Sequence, residues 1–282
     1  MFGMRSIQSF YEIHVDPIHA GLERASEVQK CFFPQRLPAI EGLDYYGTCR
    51  SAEQVGGDFF DFITTDDSVL TLSIGDVSGK GPSAALIMAG LQASLRALTA
   101  GGQEPLAAIM ARLSRLLSGI APSNLYATMF LSHIDMARHE LRYVSAGHEP
   151  VLLVRDKARI LMPLESTGPA LGAIGAAEHR ESTVMLRPGD TLVAATDGVS
   201  EAVEATDSES YEDLVIDVLR RHRRASSKDL ANSILHQVES LHSMACDDDR
   251  TVVVVRSLMQ EELAGREHRR EAELIACAAV AQ

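Results

Sequence analysis

The sequence predicts an α+β fold in which two antiparallel β-sheets pack face to face and pairs of α-helices flank them. Short runs typical of strands recur from Tyr45 onward, and several are separated by only a few turn residues. Stripes of apolar residues at helical spacing come in two pairs, one before the central hairpins and one after them. Because such short connections leave no room for a crossover helix, the sheets should be largely antiparallel.

The first element is a predicted amphipathic helix near the N-terminus. Apolar residues recur among charged ones at helical spacing, at Ile18, Leu22, Ala25 and Phe32. Pro34 and Pro38 then end the helix. Two interpretations stay open: the helix packs on its own domain, or its apolar stripe forms a short seam between two copies of the chain.

The strands and the remaining helices follow in order. The predicted strand segments are YYGTCRSA, FFDFI, VLTLSI, ATMFLSHI, ELRYVSAG, VLLVR, TLVAAT and TVVVVR. One helix is predicted directly after VLTLSI, and three more apolar stripes predict helices over residues 106–117, 214–219 and 230–241.

Residues 69–90, VLTLSIGDVSGKGPSAALIMAG, place one carboxylate between a strand and a helix. Leu70, Leu72 and Ile74 alternate with polar residues, which is the period of a strand with one face in a core. The strand therefore delivers Asp76 at its end. Glycines on both sides of Asp76 allow the backbone to turn tightly and to approach a bound ion or phosphate.

Composition narrows the function classes. The chain has 282 residues, of which 46% are hydrophobic, and this suffices for one large domain with its own core. A net charge of -13 disfavours nucleic acid as a partner, since a phosphate backbone demands a basic face. No apolar run has the length of a membrane helix and the N-terminus lacks a signal-peptide pattern, so we expect a soluble, cytoplasmic protein.

Four acidic groups adjoin predicted strands. They are Asp58 in VGGDFFDF, Asp76 in IGDVSGKG, Asp197 in AATDGVSEA, and residues 247–249 in CDDDRTVVVV. A single aspartate at a turn usually caps the local backbone. Four groups around one edge of a sandwich, however, would repel one another unless cations neutralised them, and hard divalent ions prefer oxygen ligands. The sequence therefore predicts a divalent-metal site.

Seven motifs in one order identify a family. They are LERASEVQKCFFPQRLP, AEQVGGDFFDF, GDVSGKGPSAAL, YVSAGHEPVLLV, GPALG, TDGVSEA and DDRTVVVV. With them the chain resembles the bacterial PPM-type serine/threonine phosphatases of the SpoIIE and RsbU group, which have the PP2C-like sandwich fold. On this basis we divide the chain into an N-terminal helix (1–38), a phosphatase domain (39–257) and a C-terminal helical tail (258–282).

The resemblance also implies a site with two Mn2+ or Mg2+ ions. By motif position, Asp76 should bridge both ions and Val77 should offer its backbone carbonyl. Asp58, Asp197 and Asp248 should complete the coordination directly or through water, with Asp249 as the alternative to Asp248. An activated water would then attack phosphorus in line, without a covalent phosphoenzyme.

Two further polar side chains, Lys80 and His148, lie in these motifs. Lys80 is a candidate contact for the substrate phosphate, and the alternative is a solvated lysine on a turn. His148 in AGHEP is expected to be a structural turn histidine rather than an acid or base.

The resemblance points to a substrate as well. In this group it is phosphoserine or phosphothreonine on a STAS-domain anti-sigma-factor antagonist, within a partner-switching pathway that regulates a sigma factor and includes a partner kinase. Residues 200–211 are expected to form an exposed, flap-like docking surface for such a protein. The alternatives are a catalytically silent phosphoprotein-binding module on the same fold, or another two-metal phosphohydrolase such as a nuclease.

Overall fold

The computed structural model describes residues 17–264, apart from 102–103, 123, 156, 175–177, 207–209, 242–247 and 260. The helices are α1 (Pro17–Lys30), α2 (Gly81–Thr99), α3 (Leu106–Ile120), α4 (Asp197–Glu204), α5 (Tyr211–Arg221) and α6 (Ser227–Leu241). The strands are β1 (Leu43–Arg50), β2 (Phe59–Asp66), β3 (Val69–Val77), β4 (Ala127–Asp135), β5 (Glu140–Ala146), β6 (Val151–Arg155), β7 (Ile160–Leu164), β8 (Ser182–Met185), β9 (Thr191–Ala195) and β10 (Arg250–Ser257).

The strands form two five-stranded sheets, in the orders β1-β10-β9-β6-β7 and β2-β3-β4-β5-β8. Neighbouring strands pair antiparallel throughout both sheets. The predicted α+β sandwich is therefore confirmed. Hairpins β2–β3, β4–β5 and β6–β7 are the short connections that the closely spaced strand segments predicted.

Three apolar clusters join the layers. The central cluster lies between the sheets and contains Leu72 and Phe130 from one sheet with Leu153 and Val253 from the other. A second cluster joins α2 and α3 to the outer face of the β3 sheet, and a third joins α4, α5 and α6 to the outer face of the β10 sheet. Both faces of the inner strands are thus covered, which explains why β6 is buried at every position and begins with four successive apolar residues.

Three elements were not predicted from the sequence: β7, β8 and α4. The two strands lie at sheet edges, where only one side of the strand is paired. β7 contains Pro163, and β8 has only four residues, so neither shows the apolar alternation of an inner strand.

The expectation of a flap over residues 200–211 was wrong for its first part. Residues 200–204 belong to α4, and Val199, Ala202 and Val203 of this helix are buried in the cluster beneath it. Glu201 and Glu204 are exposed, as predicted. Residues 207–209 lie outside the described part of the chain.

The N-terminal helix is confirmed as α1, but it buries little apolar surface. Ile18 is 73% exposed and Val28 is 61% exposed, and Gln29 is the buried residue of this helix. The Gln29 side-chain amide donates to the Gly56 carbonyl (2.7 Å) and accepts from the Gly56 amide (3.1 Å). The C-terminal end of α1 is therefore attached to the loop before β2. In the predicted apolar stripe, Ile18 and Ala25 are exposed, whereas Leu22 and Phe32 are half-buried.

None of the helices in the described ranges combines the length and the apolar character that crossing a bilayer would require. The predicted helical tail begins with one helical turn at 261–264. Residues 265–282, the rest of that tail, and residues 1–16 lie outside the described part of the chain.

Candidate metal centre

The topology gathers four aspartates at one edge of the sandwich. Asp58 directly precedes β2, and Asp76 is the penultimate residue of β3, its antiparallel neighbour. Asp197 follows β9 and Asp248 lies just before β10, which are antiparallel neighbours in the other sheet. Antiparallel pairing brings the start of one strand next to the end of the other, so each sheet contributes two carboxylates to this edge.

Asp58 connects the two sheets. Its side chain is buried (1% exposed), and Oδ2 accepts hydrogen bonds from Thr196 Oγ1 (2.8 Å) and Thr251 Oγ1 (2.6 Å). Oδ1 is also buried but has no hydrogen-bond partner among the described residues. Burial, and next the charge of Asp76, raise the pKa of the Asp58 carboxyl well above its usual value. One carboxylate oxygen is thus fixed in place, and the other lacks the partner that a buried polar atom normally has.

Asp76 is placed by close backbone approach between β3 and the residues before β2. A Cβ added to Gly57 would lie 2.6 Å from the Val77 carbonyl oxygen and 3.1 Å from Asp76 Oδ1, so only glycine fits there. Burial, and then neighbouring carboxylates with Asp197 foremost, raise the pKa of Asp76 to about 7. Without bound cations, the site therefore disfavours the state in which all of its carboxylates are ionised.

Asp197 and Asp248 approach each other beside Lys80. Asp197 is the first residue of α4, and its Oδ1 accepts the Gly198 amide at 2.8 Å. Burial and the charge of Asp248 raise the pKa of Asp197, whereas Lys80 acts in the opposite direction. Lys80 Nζ lies 3.3 Å from Asp248 Oδ2, with both side chains partly exposed. Lys80 therefore lies at the rim of the acidic site.

Asp249 has a different environment from Asp248. Its Oδ1 accepts the Ala52 amide (2.8 Å), and its Oδ2 accepts the amides of Gly57 (2.7 Å) and Asp58 (3.4 Å). A Cβ on Gly56 would lie 1.8 Å from Asp249 Oδ2, so the loop wraps tightly around this carboxylate. Both Asp249 oxygens thus accept backbone amides from the loop before β2. Asp248 accepts the backbone amide of Asp249 (2.9 Å), and its other oxygen reaches Lys80 on the partly exposed side of the site.

The donor set suits hard divalent cations that retain water ligands. The oxygen atoms come from aspartates and from the Val77 carbonyl, and the Asp58 oxygen without a partner is a ready ligand for an ion or its water. Among the described residues, however, no three His, Cys, Asp or Glu side chains are arranged to hold one ion by themselves. Such a site fits Mg2+ or Mn2+ bound partly through water, and it does not fit a closed cage of protein ligands.

Sequence reasoning did not identify the residues that hold the carboxylates in place. Thr196, Thr251 and Gln29 each bond to the site or its loop, and none was predicted to do so. Their position in the sequence was the available signal. Each lies inside a motif that carries the family resemblance, and both threonines are within three residues of a candidate ligand.

His148 has the geometry of a structural residue. It is 3% exposed, and its Nδ1 donates to the Glu149 carbonyl oxygen at 2.9 Å. Burial lowers the pKa of His148 to about 4, so the imidazole is neutral at pH 7. This agrees with the expectation that His148 supports a turn.

Comparison with known proteins gives consistent matches. The family model described as Stage II sporulation protein E (SpoIIE) matches residues 66–258. Phosphoserine phosphatase RsbU of Bacillus subtilis is 28% identical over 239 residues, which cover 85% of this chain and 70% of RsbU.

Two solved structures resemble the sandwich. The RsbU and RsbW domains of a Mycobacterium tuberculosis protein superpose with a TM-score of 0.68 and 28% identity, covering 81% of this chain and 64% of that one. The chain thus spans less than two thirds of that protein's solved chain. The SiaA-PP2C domain of Pseudomonas aeruginosa has a TM-score of 0.73 and 21% identity, covering 85% of this chain and 96% of that one, and this likeness supports the fold.

Proposed function

Because its residues 66–258 match the family model, the chain belongs to the SpoIIE family, and we propose that it is a metal-dependent protein serine/threonine phosphatase. The observation that carries the proposal is the group of four aspartates at one edge of both sheets, in which buried Asp58 Oδ1 has no partner among the described residues. Like charges that are buried together destabilise the fold unless a bound ligand of opposite charge compensates them.

The roles of the residues follow from their positions. Asp76 and the Val77 carbonyl would hold the ions at the end of β3, and Asp58, Asp197 and Asp248 would complete the coordination directly or through water. When bound, two Mn2+ or Mg2+ ions supply a water activated for attack on phosphorus and positive charge for the phosphoryl oxygens. Lys80 would add one cationic contact for the phosphate at the rim.

The surroundings of the site argue against the two alternatives. A nuclease needs a basic track for the nucleic-acid backbone. Here the surroundings are acidic instead. Burial raises the pKa of Glu149, and the negative charges of Asp197, Glu204 and Glu201 raise it further. A silent binding module on the same fold would have no use for four crowded carboxylates, which destabilise the chain when no cation is present.

The substrate that the resemblance implies is a phosphorylated STAS-domain protein of a partner-switching pathway, acted on in the cytoplasm. The carboxylates lie at an open edge, where docking on neighbouring surface has to supply the specificity. Glu201 and Glu204 lie in α4, the helix that begins at Asp197, and both are exposed. Their acidic side chains would therefore contact a protein bound at the site. We therefore retain α4 as the docking element, in place of the flap expected over residues 200–211.

A paired assay tests both the activity and the docking surface. Glu201→Lys/Glu204→Lys should lower kcat/KM on a phosphorylated STAS protein by about tenfold, because long-range charge complementarity governs encounter. Hydrolysis of p-nitrophenyl phosphate should change by less than about twofold, since a small substrate needs no docking. Glu41→Lys is the matched control, because Glu41 is an exposed residue just before β1, at the opposite end of the sandwich from Asp248.

The outcomes separate the parts of the proposal. Parallel losses on both substrates would show that Glu201 and Glu204 support the metal site rather than the partner. Hydrolysis of the small substrate without action on any phosphorylated STAS protein would reject the pathway but not the chemistry. Absence of Mn2+- or Mg2+-dependent hydrolysis of either substrate would reject the phosphatase itself.

The exposed stripe of α1 supports the homodimer interpretation of the N-terminal helix. Ile18 and Ala25 of this stripe are exposed, and α1 contacts its own domain mainly near Gln29. We propose that a second copy covers this stripe. Sedimentation velocity of the full chain at micromolar concentration should then show a dimer, and removal of residues 1–28 should give a folded monomer. A monomeric full chain would reject the dimer.

A further inference from the structure

A cavity of about 230 Å3 lies at the end of the sandwich opposite the carboxylates. Thr191 at the start of β9 and Arg256 near the end of β10 line it, whereas Asp197 follows β9 and Asp248 precedes β10. Since β10 has eight residues, roughly 25 Å of strand separates the two ends. The cavity is therefore separate from the candidate metal centre.

The lining of this cavity has the opposite charge from the protein as a whole. Four basic side chains line it: Lys157, His222, Arg223 and Arg256. None of the described lining residues is Asp or Glu, although the chain has 39 Asp and Glu residues against 26 Lys and Arg residues. A basic cavity in an acidic chain indicates an anionic ligand.

Part of this positive charge is already neutralised. Arg256 donates from Nη1 to the Ala225 carbonyl oxygen and from Nη2 to Glu262 Oε1, both at 2.8 Å. Across the described residues, by contrast, the side chains of Lys157 and Arg223 form no hydrogen bond or ion pair. These two cations are the ones available to a ligand.

Stabilisation of a helix C-terminus does not explain the positive charges of both Lys157 and Arg223. Basic residues commonly accompany the last turn of a helix, where they offset the negative end of its dipole. In α5 that role falls to Arg220, which donates to the Ala158 carbonyl oxygen (3.1 Å), and to Arg221, which pairs with Asp217 (2.7 Å). Lys157 belongs to another element, the turn between β6 and β7, so the helix dipole gives no reason for its charge at this place.

The position of Lys157 is fixed by the tight turn between β6 and β7. Lys157 and Ala158 have φ angles of 54° and 66°, as the two central residues of such a hairpin turn require. The turn places Lys157 on the rim of the cavity, and Ala158 is buried beneath it.

The floor of the cavity is apolar. Val154, Leu219, Leu230 and Met259 contribute to it, below the basic rim. Small-ligand sites combine an apolar lining with a few polar anchors and range from about 300 to 1,000 Å3. At about 230 Å3 this cavity is smaller than that range, so it suits only a small apolar body with its charged group at the rim.

We infer that this cavity binds a small molecule in which a phosphate group is attached to an apolar or aromatic body. The phosphate would lie between Lys157 and Arg223, and the body would rest on the apolar floor. This second site would let a phosphorylated metabolite bind the chain at the opposite end from the metal centre.

Calorimetric titration of the full chain tests the inference, with AMP and 1-naphthyl phosphate as probes. EDTA is present throughout, so that phosphate cannot bind through metal ions or be hydrolysed there. Adenosine supplies the body without the charge, and inorganic phosphate supplies the charge without the body. Both should bind at least about tenfold more weakly than AMP, because each keeps only one of the two contributions.

Matched variants locate the binding. Lys157→Gln/Arg223→Gln should weaken AMP and 1-naphthyl phosphate by about tenfold or more, because two charge-assisted contacts are lost. Arg224→Gln removes the same charge one residue away, on an exposed side chain that does not line the cavity, and should change the affinity by less than about threefold. All three side chains are exposed, so folding should be unaffected, and a thermal melt checks this.

Four results would overturn the inference. They are no binding of either probe, equal binding of AMP and inorganic phosphate, equal losses in the double variant and in Arg224→Gln, and unchanged affinity in the double variant. Binding of an acidic peptide that depends on Lys157 and Arg223, with neither small probe bound, would instead assign the cavity to a protein partner.

Discussion

Asp76→Asn is expected to lower metal-dependent phosphate release by at least about 10³-fold while the chain stays folded. Asp76 is the penultimate residue of β3, next to the Val77 carbonyl. Gly57 packs so closely against Asp76 and Val77 that the backbone there has no room to rearrange. Asparagine keeps the shape but removes the negative charge that two cations would share. The measurement is kcat on p-nitrophenyl phosphate over a Mn2+ titration.

A stability measurement on the metal-free chain separates loss of ligand charge from loss of fold. Burial and neighbouring carboxylates raise the pKa of Asp76 to about 7, so the folded chain disfavours its ionised form. An unfolded aspartate ionises near pH 3.9. Asp76 therefore destabilises the metal-free wild type increasingly as pH rises from about 4 to about 7, and Asp76→Asn should melt at a higher temperature than wild type at pH 7 in EDTA.

Near-wild-type turnover of Asp76→Asn at saturating Mn2+ would remove Asp76 from the metal site. A fall in the EDTA melting temperature at pH 7 would show that Asp76 supports the fold, and the loss of activity would then say nothing about metal.

The position of Asp76 could be predicted because it rests on local pattern. Leu70, Leu72 and Ile74 alternate along a strand, and the glycines after it mark where the chain turns. Antiparallel pairing of β2 with β3 follows from their closely spaced segments, whereas β9 and β10 are separated by three helices, and their pairing follows from the sandwich fold that the resemblance implies. The meeting of four carboxylates at one edge was therefore accessible from sequence.

Contacts across the sandwich could not be predicted in this way. Gln29 and Gly56 are 27 positions apart, and Asp58 and Thr251 are 193 positions apart, so no local pattern connects them. The helix α4 was missed because it has only eight residues, too few to repeat a helical period clearly, and its buried side chains depend on packing against β10 and α6. Edge strands β7 and β8 were missed because β7 contains Pro163 and β8 has only four residues.

The acidic triplet shows most clearly what could not be predicted from the sequence. Residues 247–249 are three successive aspartates, and sequence alone left Asp248 and Asp249 as alternatives for the metal ligand. Their surroundings distinguish them. Asp249 accepts three backbone amides from the loop before β2, whereas Asp248 accepts the Asp249 amide, lies beside Lys80 and raises the pKa of Asp197. Two neighbouring and chemically identical side chains should therefore fail in different ways when they are replaced.

Asp248→Asn should lower kcat by about 100-fold or more and leave the melting temperature in EDTA unchanged or higher, because it removes a metal ligand and part of the charge repulsion. Asp249→Ala should instead cost about 2–4 kcal/mol of unfolding free energy, because the amides of Ala52, Gly57 and Asp58 lose a buried, charged acceptor. Asp249→Asn should lie between wild type and alanine, since its amide oxygen can still accept part of these bonds.

The decisive comparison is Asp248→Asn against Asp249→Asn, which are equal in chemistry and adjacent in sequence. Thermal melts in EDTA and kcat at saturating Mn2+ are measured on both variants. We expect the melting temperature to fall only in Asp249→Asn and the turnover per folded molecule to be lower in Asp248→Asn. Because Asp249 holds the loop that carries Asp58, some loss of activity in Asp249→Asn is expected, and excess Mn2+ should recover part of it by binding to the folded form. Equal effects on both measurements would mean that the backbone amides around Asp249 do not decide between the two aspartates, and the assignment of Asp248 as the ligand would fail.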